Sequence, residues 1–175
     1  MPRDSHHDDF TVGLHWLTAG LIAALWRSAQ IIAIFGHGPP EAYHQSFHIT
    51  LGVMRALVLA VRILWRLTAG RSLKGAHLGL LEQIARATHY VMHAVAGTVV
   101  LLGCLTVWMQ GDRIWSLVPI PAYDPGNITL GQQIRGWHGV AANLILILAG
   151  LHAAAALFHH DVLRDDMFRR MLPRL

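Results

Sequence analysis

Thirteen histidines in 175 residues, against ten acidic side chains and a single cysteine, make imidazole the group most able to do chemistry in this chain. His15, His48, His138 and His152 all fall within long apolar stretches. His138 and His152 are 14 residues apart in W-H-G-V-A-A-N-L-I-L-I-L-A-G-L-H. On a helix that spacing is about 21 Å along the axis and about 40° around it, so the two share one face at two depths. His15 sits in the first turn of its stretch and His48 just past the start of the next. Successive spans run in opposite directions, so depth pairs His15 with His152 and His48 with His138. Neutral imidazole is a good iron ligand, and two axial imidazoles per iron make a closed electron-transfer site. One buried histidine alone is more often a packing residue; four at matched depths point to ligation. Cys104, the single cysteine, excludes an intramolecular disulfide, a cysteine-ligated iron–sulfur cluster and C-x-x-C-H haem attachment.

The neighbours suit a porphyrin. Gly52, Arg55 and Arg62 fall within about 40° of the His48 face. Gly52, one turn deeper, lacks the side chain that would collide with a macrocycle. Ala142, Ala149 and Ala156 are similarly small near the ligand face of their helix, although close helix packing explains small residues equally well. Arg27, Arg55 and Arg62 have no carboxylate in any span to pair with. A charge at mid-bilayer costs several kcal/mol, and haem propionates could supply the missing negative charge. Arg62 could instead snorkel to the interface, which is harder for Arg55, seven residues deeper.

The elements that must position these residues are four membrane spans. Apolar residues make up 54% of the chain and charged ones 14%, with a mean hydropathy of +0.41; soluble domains are about 25% charged. Stretches of about 20 apolar residues run over Gly13–Phe35, His44–Trp65, Arg86–Met109 and Trp137–His160. The reading is an all-α membrane protein, a four-transmembrane-helix bundle enclosing two b haems, with residues 1–175 as one domain. The first span is too long, and too poorly preceded by positive charge, for a cleaved signal peptide. Gly-His-Gly-Pro-Pro at 36–40 breaks the chain, a polar, basic linker follows the second span, and 110–136 reads as an ordered external connection.

Arg3, Arg66, Arg71, Lys74, Arg86, Arg164, Arg169, Arg170 and Arg174 lie on the side of the termini, against Arg113 and Arg135 on the other. That bias places both termini in the cytoplasm. It accounts for the sequence pI near 10, so anionic lipid is an expected partner and nucleic acid is not. No acidic residue lies well inside a span, whereas proton pumps and cation transporters usually need one. That weighs against a histidine-based metal transporter, the reading from a different class.

The remaining histidines rank lower. His89 and His93 could line a haem edge or a quinone pocket, but interfacial or packing roles suit them better. His44 is a rival ligand at the external end. His159 and His160 suit a helix C-terminus, and His6, His7, His37 and His77 are expected in solvent. The tryptophans cluster near span ends, as interface anchors do.

L-H-W-L at 14–17, F-H-I-T-L-G and R-I-L-W-R-L within 47–67, W-H-G-V-A-A-N and G-L-H-A-A-A-A-L-F-H-H within 137–160, and M-L-P-R at 171–174 together resemble the bacterial cytochrome b561 family. That family is related to the cytochrome b subunits of nickel–iron hydrogenases. The resemblance runs from about Phe10 to Leu175 and implies a four-helix, di-haem b protein of the inner membrane. The family's ligand positions fall on His15, His48, His138 and His152. Short stand-alone members include ones that oxidise superoxide at the external face and reduce ubiquinone. Arg55 and His93 depart from the family's pattern. The implied function is electron relay between an external donor, superoxide or a redox partner protein, and the quinone pool. The alternative of the same class is a haem-bearing membrane subunit of a hydrogenase-like or other dehydrogenase.

Overall fold

The computed structural model describes residues 8–35, 39–68, 79–164 and 168–172. His6, His7, His37 and His77 lie outside the described residues, as do Arg3, Arg71, Lys74 and Arg174 of the charge count. The described chain forms α1 (Asp9–Phe35), α2 (Pro39–Thr68), α3 (Leu80–Gln110), a hairpin of β1 (Asp112–Ile114) and β2 (Val118–Ile120), α4 (Ile128–Asp161) and a short 3-10 turn at Arg169–Met171. All four long helices are long and apolar enough to cross a membrane.

The helices overrun the expected spans because hydrogen bonding continues where hydropathy stops. α4 begins at Ile128, within the stretch read as a connection, because the Asn127 side chain accepts the backbone N–H of Leu130 at 3.2 Å and caps it. Asp8 caps α1 in the same manner, accepting the Thr11 N–H and hydroxyl at 2.8 Å each. Gly111 ends α3 at φ +74°, where a side chain would also press on Ala122. The chain then turns through the hairpin, pairing Asp112 with Ile120 and Ile114 with Val118. Trp115 and Ser116 at its tip adopt positive φ, uncommon for such residues. Their N–H groups donate to the Thr50 and Ser46 hydroxyls of α2, which lash the tip to the bundle.

Packing is uneven. α1 packs closely on α2 and α3 on α4, while α2 touches α3 only sparsely. Two antiparallel hairpins therefore face each other across a looser seam. The buried apolar core that joins them is small: Leu59, Ala96 and Ile145, from α2, α3 and α4. Ile145 lies midway between His138 and His152 on α4, so this cluster sits between two levels of the seam. Leu57, Leu64, Leu101, Ile147 and Leu151 are exposed on the outside, where lipid tails replace water.

Candidate haem-binding seam

Each level draws on all four helices. At the end carrying the hairpin, Ser28 of α1, His48 of α2, Val99 and Gly103 of α3, and His138 of α4 come together. At the end carrying the chain termini, His15 of α1, His89 of α3 and His152 of α4 do so. Arg62 of α2 lies within electrostatic reach of His152 and His89 there.

The His48 and His138 rings have centroids 6.3 Å apart, and so do those of His15 and His152. Metal–imidazole bonds are about 2.0–2.1 Å, and with each centroid about 1 Å behind its nitrogen, two axial imidazoles stand about 6 Å apart across a metal. Both pairs have that separation, and both cross the seam from the α1–α2 hairpin to the α3–α4 hairpin. His89 approaches His152 at 5.4 Å, rather close for a metal between them. Among the described residues no three His, Cys or acidic side chains gather as a bare ion would need. Pairs suit a metal whose equatorial positions a macrocycle fills.

Second contacts fix the rings. The Ser28 hydroxyl donates to the Leu25 carbonyl at 2.8 Å, so its oxygen accepts the His48 Nδ1–H at 2.7 Å. His138 donates its Nδ1–H to the Val99 carbonyl at 3.1 Å. In both rings that leaves Nε2 unprotonated, the tautomer a metal ligand needs. Gly103 lets the His138 ring sit close against α3: a Cβ there would stand 3.2 Å from its Cε1. On α3, His93 donates Nδ1–H to the His89 carbonyl at 2.7 Å.

Gly52 is half-buried, and a Cβ added to it would meet nothing within 4 Å, so the backbone there borders open space. Arg55 is 6% exposed and its Nη1 has no hydrogen-bond partner. Arg62 is half-buried, whereas Arg27, grouped with them in the sequence, is exposed on α1. Ala142, Ala149 and Ala156 are all half-buried. An orphaned guanidinium, open space beside a glycine and paired imidazoles fit a haem with its anionic propionates. Ser28, Gly103 and the closeness of His89 to His152 were missed in the sequence. Depth matching applied to the third span as well would have found the last of them, since His89 lies at the depth of His152.

The fold is that of a multi-pass membrane protein of four long apolar helices. The chain belongs to the prokaryotic cytochrome b561 family, whose model matches residues 6–174. It is similar to a probable superoxide oxidase CybB of Yersinia pestis, 25% identical over 166 residues that cover 93% of each chain. A cytochrome b562 of Cereibacter sphaeroides is 26% identical over 177 residues, 98% of each chain. Cytochrome b561 homolog 2 of Escherichia coli is 23% identical over 170 residues, 93% of this chain and 88% of that one. The protein is therefore a bacterial membrane electron-transfer cytochrome that binds b-type haem.

Proposed function

We propose that this chain is a di-haem cytochrome b that relays electrons between a donor at the hairpin end and ubiquinone. The observation that carries the reading is the repetition of one separation, 6.3 Å, by two histidine pairs at two levels of the seam. His48 and His138 hold one haem, His15 and His152 the other, with Gly52 clearing space and Arg55 and Arg62 offering positive charge to propionates. Bound haem supplies a one-electron iron couple. The residues supply the rest: Ser28 and the Val99 carbonyl lock two ligand rings, and Leu59, Ala96 and Ile145 keep the levels apart. Two one-electron sites match the two electrons that a quinone takes. Residues 1–175 act as one unit in this reading.

The excess of basic residues at the termini supports a cytoplasmic position for both ends, with the hairpin outside. The similarity to a probable superoxide oxidase supports superoxide as the donor. The test is anaerobic reduction of the purified protein, followed by ubiquinone, with the b-type absorption bands recorded throughout. Superoxide is expected to reduce the haems and quinone to reoxidise them. Haems reduced by dithionite that quinone leaves reduced would contradict the proposal.

A further inference from the structure

Two buried polar side-chain atoms among the described residues have no hydrogen-bond partner: Nη1 of Arg55 and Oγ1 of Thr18. They lie near each other in depth. Trp65 donates to Thr11, and His48 bonds Ser28, across α1 and α2. The residue numbers total 76 in both contacts, so Arg55 lies level with Leu21, one turn from Thr18. Thr18 also behaves unlike its kind. Thr50, Thr68, Thr88, Thr98 and Thr106 all return their hydroxyl protons to the carbonyl four residues back, the usual arrangement in a helix.

A buried guanidinium needs both hydrogen-bond acceptors and a counter-charge, and water satisfies only the first need. The span around Arg55 holds no acidic residue beyond Glu41 at the start of α2, and α1 holds none beyond Asp9 at its own start. His93 and Arg62 are its electrostatic neighbours, and neither is an anion. The missing partner is thus an anion that the protein does not contribute, with an oxygen that can also meet a hydroxyl. A carboxylate fits, because it accepts from a guanidinium and a hydroxyl at once. Arg55 lies near mid-depth between the two histidine levels, so Thr18 chooses the owner. Thr18 is three residues, about 4.5 Å, from His15 and on an adjoining face.

We propose that Arg55 and Thr18 form an interior carboxylate site that takes a propionate of the haem held by His15 and His152. The assignment rests on the reading of those two histidines as ligands. One propionate of that haem is turned toward the middle of the membrane, where Arg55 neutralises it. A neutralised propionate and a nearby positive charge both favour the reduced iron, so this haem has the higher potential for its local surroundings.

The test is redox titration with resonance Raman spectroscopy of Arg55→Gln and Thr18→Val. Each is made in the full chain and in His138→Ala and His152→Ala backgrounds, which isolate one haem each. Arg55→Gln is expected to keep both haems. In the His138→Ala background it should lower the midpoint by the equivalent of about tenfold in the redox equilibrium, or about 59 mV for one electron. It should also move the propionate bending band there, with a smaller shift and an unmoved band in the His152→Ala background. Thr18→Val should move the same band with a smaller midpoint change. Equal midpoint shifts of both haems with unmoved propionate bands would overturn the site, as would no shift in either. If the single-histidine variants fail to isolate one haem each, the ligand assignment fails instead; the band in the full chain then still reports whether Arg55 meets a propionate.

Discussion

Two of the four proposed ligand rings, His48 and His138, are held from behind by hydrogen bonds. His48 is backed by a hydroxyl and His138 by a main-chain carbonyl, so in both the proton is held on Nδ1 and Nε2 is free of it. Ser28→Ala removes the acceptor of the His48 Nδ1–H. Haem affinity at that level is expected to fall about 10–100-fold, the usual effect of losing such a contact, as read by haem retention on dilution. His138→Ala should remove the haem at the hairpin end and His152→Ala the one at the terminal end, each leaving one low-spin haem and a cavity that lowers stability. Retention of two low-spin haems by either variant would break the pairing by depth, and His89 would become the next candidate opposite His152. The spatial pairing of His15 with His152 and of His48 with His138 was legible because their spacing survives as a depth code in any antiparallel bundle. Ser28 and Gly103 were not, since a serine or glycine in an apolar run has no mark of its own until the partner helix is in place.

At the scale of elements, the existence of the four helices followed directly from hydropathy, but their ends did not. Hydropathy reports lipid exposure, while helix ends are set by caps such as Asn127 and Asp8. The β1–β2 hairpin was invisible as strands: three residues each, with Pro119 inside, carry no periodic signal. Gly103 shows how one element shapes another, since its missing Cβ lets α4 bring His138 against α3. Gly103→Ala is expected to push the His138 ring by a few tenths of an ångström. The low-spin EPR signal of one haem should change, while Gly20→Ala, on an exposed and uncrowded face, changes neither. The cap on α1 has a pH signature. Burial acts to raise the Asp8 carboxyl, but the Thr11 N–H and hydroxyl outweigh it and hold it below its ordinary range. A lowered carboxyl contributes stability above its unfolded pKa and loses it as pH falls through the folded one. Amide protection in the first turn of α1 should therefore drop on acidification below that range. In Asp8→Asn the drop should be absent, and the effect is small because the group is largely solvated.

At the scale of the molecule, the loose seam is the central feature. Two closely packed hairpins meet through a few residues at mid-depth, and on either side of these residues a histidine pair crosses the seam. An apolar bundle with no cofactor would be expected to close that seam with large side chains, since packed interiors tolerate few voids. Among the described residues none of the large side chains is completely buried, as fits a bundle whose core is completed by bound groups. The most direct measurement is the pyridine haemochrome assay on the purified protein, with polypeptide quantified by amino-acid analysis. Four histidines in two pairs are expected to give two haems b per chain. One haem per chain, in protein shown to be fully loaded, would contradict the two-level seam.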